Sequence, residues 1–126
     1  MRLIILYKGN GNFYFPKNNK IEDPKLDLIY DFLECDGIIL VPNLILDWID
    51  SDENWMGTNV CFLRKEDKKI VLGWDHDEDE EFLFSTSKKY FITMVKKWLE
   101  VRKKEPKEIT ISLYDDGQVE ISLPML

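Results

Sequence analysis

The sequence predicts an α+β fold: a mostly antiparallel sheet packed by two main helices and ending in a C-terminal β-hairpin. Three observations carry this. First, Ile109-Thr110-Ile111-Ser112-Leu113 and Val119-Glu120-Ile121-Ser122-Leu123 alternate apolar and polar residues on either side of Asp115-Asp116-Gly117, a hairpin with one buried and one wet face. Second, Tyr90, Met94 and Trp98, with Phe91, Val95 and Leu99, form two adjacent i, i+4 rows inside Ser87–Lys104. Third, Asp23-Pro24 is a helix start, with Asp as N-cap and Pro at the first helical position, ahead of Leu26, Ile29, Tyr30 and Leu33 at helical spacing.

Along the chain, Leu3–Tyr7 is an unbroken apolar run that reads as a buried strand, turned by Lys8-Gly9-Asn10-Gly11-Asn12. Phe13-Tyr14-Phe15 returns as a short strand stopped by Pro16, and a polar loop leads to Asp23. The first helix is expected to end near Cys35, where Asp36-Gly37 offers a C-terminal stop. Ile38–Val41 reads as a short strand, and Leu44–Ile49 as a helical turn capped by Asn43, with a further strand as the alternative. Asp50–Gly57 is then a polar loop holding Trp55. Asn59–Arg64 and Ile70–Trp74 flank Lys65-Glu66-Asp67-Lys68-Lys69 as a hairpin with a charged tip. The consecutive apolar Val60–Leu63 suggests a strand covered on both faces. Phe82-Leu83-Phe84 reads as another short strand. Cations in the last turn of Ser87–Lys104 suit the helix dipole, and Pro106 prevents continuation.

The length of 126 residues and the absence of any linker or repeat predict one globular domain, 1–126, large enough to bury a core without staples. The 44% apolar and 33% charged shares fit a soluble domain rather than a disordered chain. Cys35 and Cys61 show no disulfide spacing and read as buried thiols. No signal-peptide core and no run of about 20 apolar residues is present, so the expectation is a cytoplasmic protein with no membrane partner.

Charge is the strongest functional signal. Asp36–Thr86 holds thirteen acidic and four basic residues, whereas Ser87–Lys107 holds two acidic and eight basic ones, in a chain of net charge −7. Asp75-His76-Asp77-Glu78-Asp79-Glu80-Glu81 puts six carboxylates in seven positions. Such a field repels nucleic acid and anionic lipid and draws in basic partners. Asp47, Asp50, Asp52 and Glu53 precede Trp55, one hairpin away from Asp75–Glu81. If that hairpin gathers both groups along one edge, they compose an aromatic anchor ringed by charge. Trp55 is equally readable as a core residue, and the acidic run as solubility and edge protection. The basic face of Ser87–Lys104 is readable as a solvated face that partly neutralises the acidic stretch.

No catalytic signature accompanies this pattern. His76 is the single histidine, too few for a tetrahedral metal site built on several nitrogen or sulfur ligands. Asp75, Asp77 and Asp79 have the alternate spacing of a calcium loop, but Glu80 and Thr86 stand where Gly and Glu are needed. Gly9-Asn10-Gly11-Asn12 lacks the Gly-Lys-Ser/Thr ending of a phosphate loop, and Cys61 with His76 has no orienting third group. The expectation is therefore a non-enzyme with no cofactor and no metal.

The strand-opening Met1–Tyr7, the mixed Trp and Asp of Leu44–Trp55, the Asp75–Glu81 run and the short hairpin end together resemble bacterial immunity proteins, especially those of contact-dependent growth inhibition and related polymorphic-toxin systems. The resemblance is one of architecture and composition, and it departs at the basic Ser87–Lys104 helix. It implies stoichiometric inhibition of a cognate protein toxin domain, a basic nuclease being the kind an acidic surface covers. Asp47, Asp50, Asp52, Glu53, Trp55, Asp75, Asp77, Glu78, Asp79, Glu80 and Glu81 are the expected interface. Two alternatives stand beside it: a nucleic-acid mimic from a phage or mobile element, with carboxylates along one extended edge, and a small enzyme with a pocket converging on His76 or Cys61.

Overall fold

The strands divide between two four-stranded antiparallel sheets, as seen in a computed structural model that describes residues 1–124. The first sheet has the order β2-β1-β7-β8, from β1 (Arg2–Lys8), β2 (Tyr14–Pro16), β7 (Glu108–Leu113) and β8 (Val119–Ser122). The second has the order β3-β4-β5-β6, from β3 (Trp55–Gly57), β4 (Cys61–Glu66), β5 (Lys69–Trp74) and β6 (Leu83–Ser87). Three α-helices, α1 (Pro24–Tyr30), α2 (Pro42–Ile49) and α3 (Lys88–Lys103), complete the fold. The predicted class, the two main helices and the C-terminal hairpin are all present; the division of the strands between two sheets is what the sequence did not indicate.

The helices form for the expected local reasons. Asp23 caps α1, its carboxylate accepting from the Lys25 and Leu26 N–H groups, and Pro24 opens the helix. The chain then runs on through a π-turn, Asp31–Cys35, and leaves it at Gly37 in a left-handed conformation (φ 66°). Ser87 caps α3 by accepting from Tyr90 N–H at 3.1 Å, and Phe91, Met94, Val95, Trp98 and Val101 are its buried stripe. α3 lies against β8 of the first sheet and against β5 and β6 of the second, so its stripe joins both sheets. One continuous core results, running from Leu6, Ile109 and Ile111 through Phe32, Phe91 and Trp98 to Leu63 and Leu72.

Several local expectations are corrected. Ile38–Leu40 is a 3-10 turn rather than a strand: no described strand pairs with it, Leu40 N–H donates to the Gly37 carbonyl at 2.9 Å and Val41 N–H to the Ile38 carbonyl at 3.2 Å, and only Ile38 is buried. The following segment is a helix, but it starts at Pro42 with Val41 in the cap position, so Asn43 is already inside it. Trp55 lies in strand β3 rather than in a loop, since Trp55, Met56 and Gly57 pair with Arg64, Leu63 and Phe62. β1 is not covered on both faces: Leu6 is buried and Ile4 packs on the core, while Leu3 and Tyr7 are exposed. Cys35 is exposed, and only Cys61 is a buried thiol.

Candidate functional site

Alternation along β4 decides which residues reach the outer face of the second sheet. Cys61 and Leu63 point into the core, so Phe62, Arg64 and Glu66 point away from it. Ladder partners share a face, which places Trp55 and Val71 beside Arg64, and Gly57 and Gly73 beside Phe62. Two glycines make this surface possible. A Cβ on Gly73 would come within 2.5 Å of the Phe62 ring, and one on Gly57 within 3.0 Å of the Trp55 ring. Both aromatic rings therefore lie down on bare backbone. Phe62 is nearly buried by this means, while Trp55 remains 56% exposed. Trp55 is thus a surface residue, and a positioned one.

Arg64 is the hub of the face. Its Nε donates to Glu66 Oε2 at 2.6 Å, its other arm donates to Glu80 Oε1, and its guanidinium lies 5.6 Å from the Phe62 ring centroid. Hydrogen bonds to Glu80 and then Glu66 push its pKa further up, so it is a permanent cation. Glu80 belongs to the acidic run that follows β5, so Arg64 ties that run to β4.

The acidic run itself is an ordered loop built on aromatic and backbone contacts. Trp74, whose Nε1–H donates to Asp31 Oδ2 at 2.9 Å, stacks on His76 with ring centroids 5.6 Å apart and meets Phe82 edge-on. Asp77 accepts from Phe82 N–H at 2.9 Å, and Glu80 N–H donates to the Asp77 carbonyl at 3.0 Å. These contacts use one carboxylate of the run, that of Asp77. Asp75, Glu78, Asp79, Glu80 and Glu81 are exposed.

The second acidic group sits elsewhere. Asp47 is on the exposed side of α2, and Asp50, Asp52 and Glu53 follow its end. The Lys65 ammonium holds that end by donating to the Trp48 and Ser51 carbonyls at 2.8 and 2.6 Å, and Asp50 pairs with Lys88 at 3.1 Å. This group is therefore next to the Asp67–Lys68 turn, whereas Asp75–Glu81 follows Trp74 at the opposite end of the β4–β5 hairpin. Trp55 and Glu80 share Arg64, the one as its ladder partner and the other as its ion-pair partner, and the hairpin separates the two acidic clusters instead of aligning them along one edge.

Neutralisation by α3 is slight. Lys97 and Lys104 pair with Glu100 of the same helix, and Lys88 is the α3 cation that reaches a predicted interface residue, Asp50. Among the described residues, Asp47, Asp52, Glu53, Asp75, Asp77, Glu78, Asp79 and Glu81 have no cationic partner within 4 Å, and Arg64 and Lys88 serve Glu80 and Asp50.

Cys61 is fully buried, and burial followed by the Asp36 charge pushes its thiol well up, so it is protonated at neutral pH. His76 is exposed and engaged with Trp74. Among the described residues, no group of three or more His, Cys, Asp or Glu side chains is disposed to hold a metal ion, and no helix is long and apolar enough to cross a membrane.

Sequence reasoning missed Phe62, Arg64, Gly57 and Gly73 as parts of this face. The signal was present: two glycines inside strands mark a close approach, and the lone Arg in the acidic block marks a hub. The comparisons with protein families, with curated proteins and with solved structures found no match for the chain.

Proposed function

We propose that this chain is an immunity protein that binds a cognate basic toxin domain, of the nuclease kind, and blocks it stoichiometrically through the Trp55 face and the Asp75–Glu81 loop. The observation that carries this reading is a preformed one: an exposed, positioned tryptophan whose ladder partner Arg64 holds an ordered loop, the carboxylates of which, Glu80 excepted, lack intramolecular cations. A free carboxylate is already in its high-affinity form for an incoming Lys or Arg, and an ordered one loses little entropy on binding. Trp55 supplies the apolar centre that charge alone does not, with Phe62 beside it and Arg64 positioned for a polar contact. Asp47, Asp50, Asp52 and Glu53 form a second contact or a steering field, set apart by the length of the hairpin. That separation favours a broad protein partner over a mimic of one continuous phosphate row.

The test takes the C-terminal domain of any large secreted protein encoded beside this gene and measures its association with the chain. Raising salt to about 0.5 M is expected to slow association at least tenfold with little change in dissociation, because steering acts on encounter. Trp55→Ala is expected to speed dissociation instead. An on-rate indifferent to salt, or a Trp55→Ala complex as long-lived as the wild type, overturns the assignment of this face.

A further inference from the structure

We propose that the pocket beside the Asp67–Lys68 turn is a binding site for a small phosphate-bearing anion. The pocket, about 270 Å³, is lined by Lys65, Lys68, Lys69 and Lys88, with Asp50 and Ser51 at one side and Ile49 and Ile70 as apolar wall. The lining thus holds four lysines and one carboxylate, that of Asp50, in a chain whose net charge is −7. Two of the four are already engaged: Lys65 with the Trp48 and Ser51 carbonyls, and Lys88 with Asp50. Lys68 and Lys69 have no carboxylate within 4 Å among the described residues. The Lys68 backbone is left-handed (φ 67°) at the turn, and Lys69 pairs with Ser87 in the ladder.

That pairing brings the lysines to the start of α3, the positive end of a 16-residue helix. Helices favour acidic residues there, yet the first turn of α3 contains none and opens with Lys88-Lys89. Like charges are therefore concentrated at a helix end, where the backbone already has a positive potential. A sequence that breaks a local rule in this way does so most often at a functional site. An anion relieves the repulsion, and the tetrahedral, multiply charged oxygens of a phosphate suit several ammonium groups arriving from different elements. The pocket volume admits a phosphate or pyrophosphate group with a small substituent, while the acidic surface elsewhere disfavours a long polyanion.

The experiment is a titration of the intact protein with inorganic pyrophosphate at constant ionic strength, followed by amide chemical shifts and calorimetry. Saturable shifts centred on residues 68–70 and 87–90 are expected, with pyrophosphate binding more tightly than phosphate. The double variant Lys68→Ala/Lys69→Ala, altered only at exposed positions, is expected to bind at least tenfold more weakly while keeping its circular dichroism spectrum. Asp50→Asn, which removes the competing carboxylate and leaves all four cations, is expected to bind several-fold more tightly. Shifts spread evenly over Lys96, Lys97, Lys103 and Lys104, or an affinity unchanged in both variants, overturn the proposal.

Discussion

Glu34 and the carboxylates of Asp75–Glu81 meet opposite fates in the same molecule. The Glu34 side chain is 3% exposed, and each of its oxygens is satisfied: Oε2 accepts from Tyr14 N–H at 2.6 Å and Oε1 from Arg102 Nε at 3.2 Å. Arg102 also donates to the Asn12 carbonyl and lies 4.7 Å over the Tyr14 ring, and Tyr30 closes the group by donating to the Tyr14 carbonyl. This charged cluster ties the π-turn, the end of α3 and β2 together. The surface loop does the reverse, using aromatic stacking and main-chain bonds for order and leaving most of its carboxylates unpaired. The contrast separates charge used for architecture, which is buried and completely partnered, from charge available to another molecule.

The largest test of that contrast is Arg102→Ala. It strands a buried carboxylate and is expected to cost about 3–5 kcal/mol of stability by urea denaturation; a loss comparable to that of a surface substitution removes the distinction. The same site has a pH signature. Burial raises the Glu34 pKa above its ordinary 4.5, against the lowering influence of Tyr14 N–H and Arg102. A raised folded-state pKa means that this carboxyl adds most stability below the unfolded value and loses it as pH rises through the folded one. Relative to Glu34→Gln, the wild type should therefore gain in urea midpoint as pH falls from about 7 towards 4. A gain on going the other way would show that Arg102, not burial, governs the group.

Gly73→Ala is expected to cost about 1–2 kcal/mol, because the added methyl lifts the Phe62 ring and crowds Leu83. Arg64→Ala removes a partly exposed hub and is expected to cost only about 0.2–1 kcal/mol while freeing Glu80. Neutralising Glu78, Asp79 and Glu81 together should change stability by no more than about 0.5 kcal/mol. That triple variant should nevertheless slow association with a cationic partner, and a marked loss of stability instead would make the loop architectural.

Much of the fold could be read directly. The stripe of α3, the Asp23-Pro24 start of α1, and the β7–β8 alternation each depend on residues close in sequence, and each is where local chemistry places it. Ile38–Leu40 misled because apolar composition does not show whether a strand has a neighbour to pair with. Trp55 was undecidable for a similar reason: three residues make a strand only when β4 offers its edge, and where its ring rests depends on Gly57 having no side chain. The acidic residues of the candidate site were legible one by one, but their grouping was not.

Sequence by itself determined the class of the fold, its helices, its hairpins and its sign of charge, because these follow from periodicity, caps and composition within a few turns of chain. Tertiary structure alone decided that the strands form two sheets joined by α3, that Arg64 bonds Glu80 of the acidic run, and that lysines far apart in sequence line one pocket. Those outcomes depend on register and on which faces pack together, and both are set by contacts between residues that the chain keeps far apart until it folds.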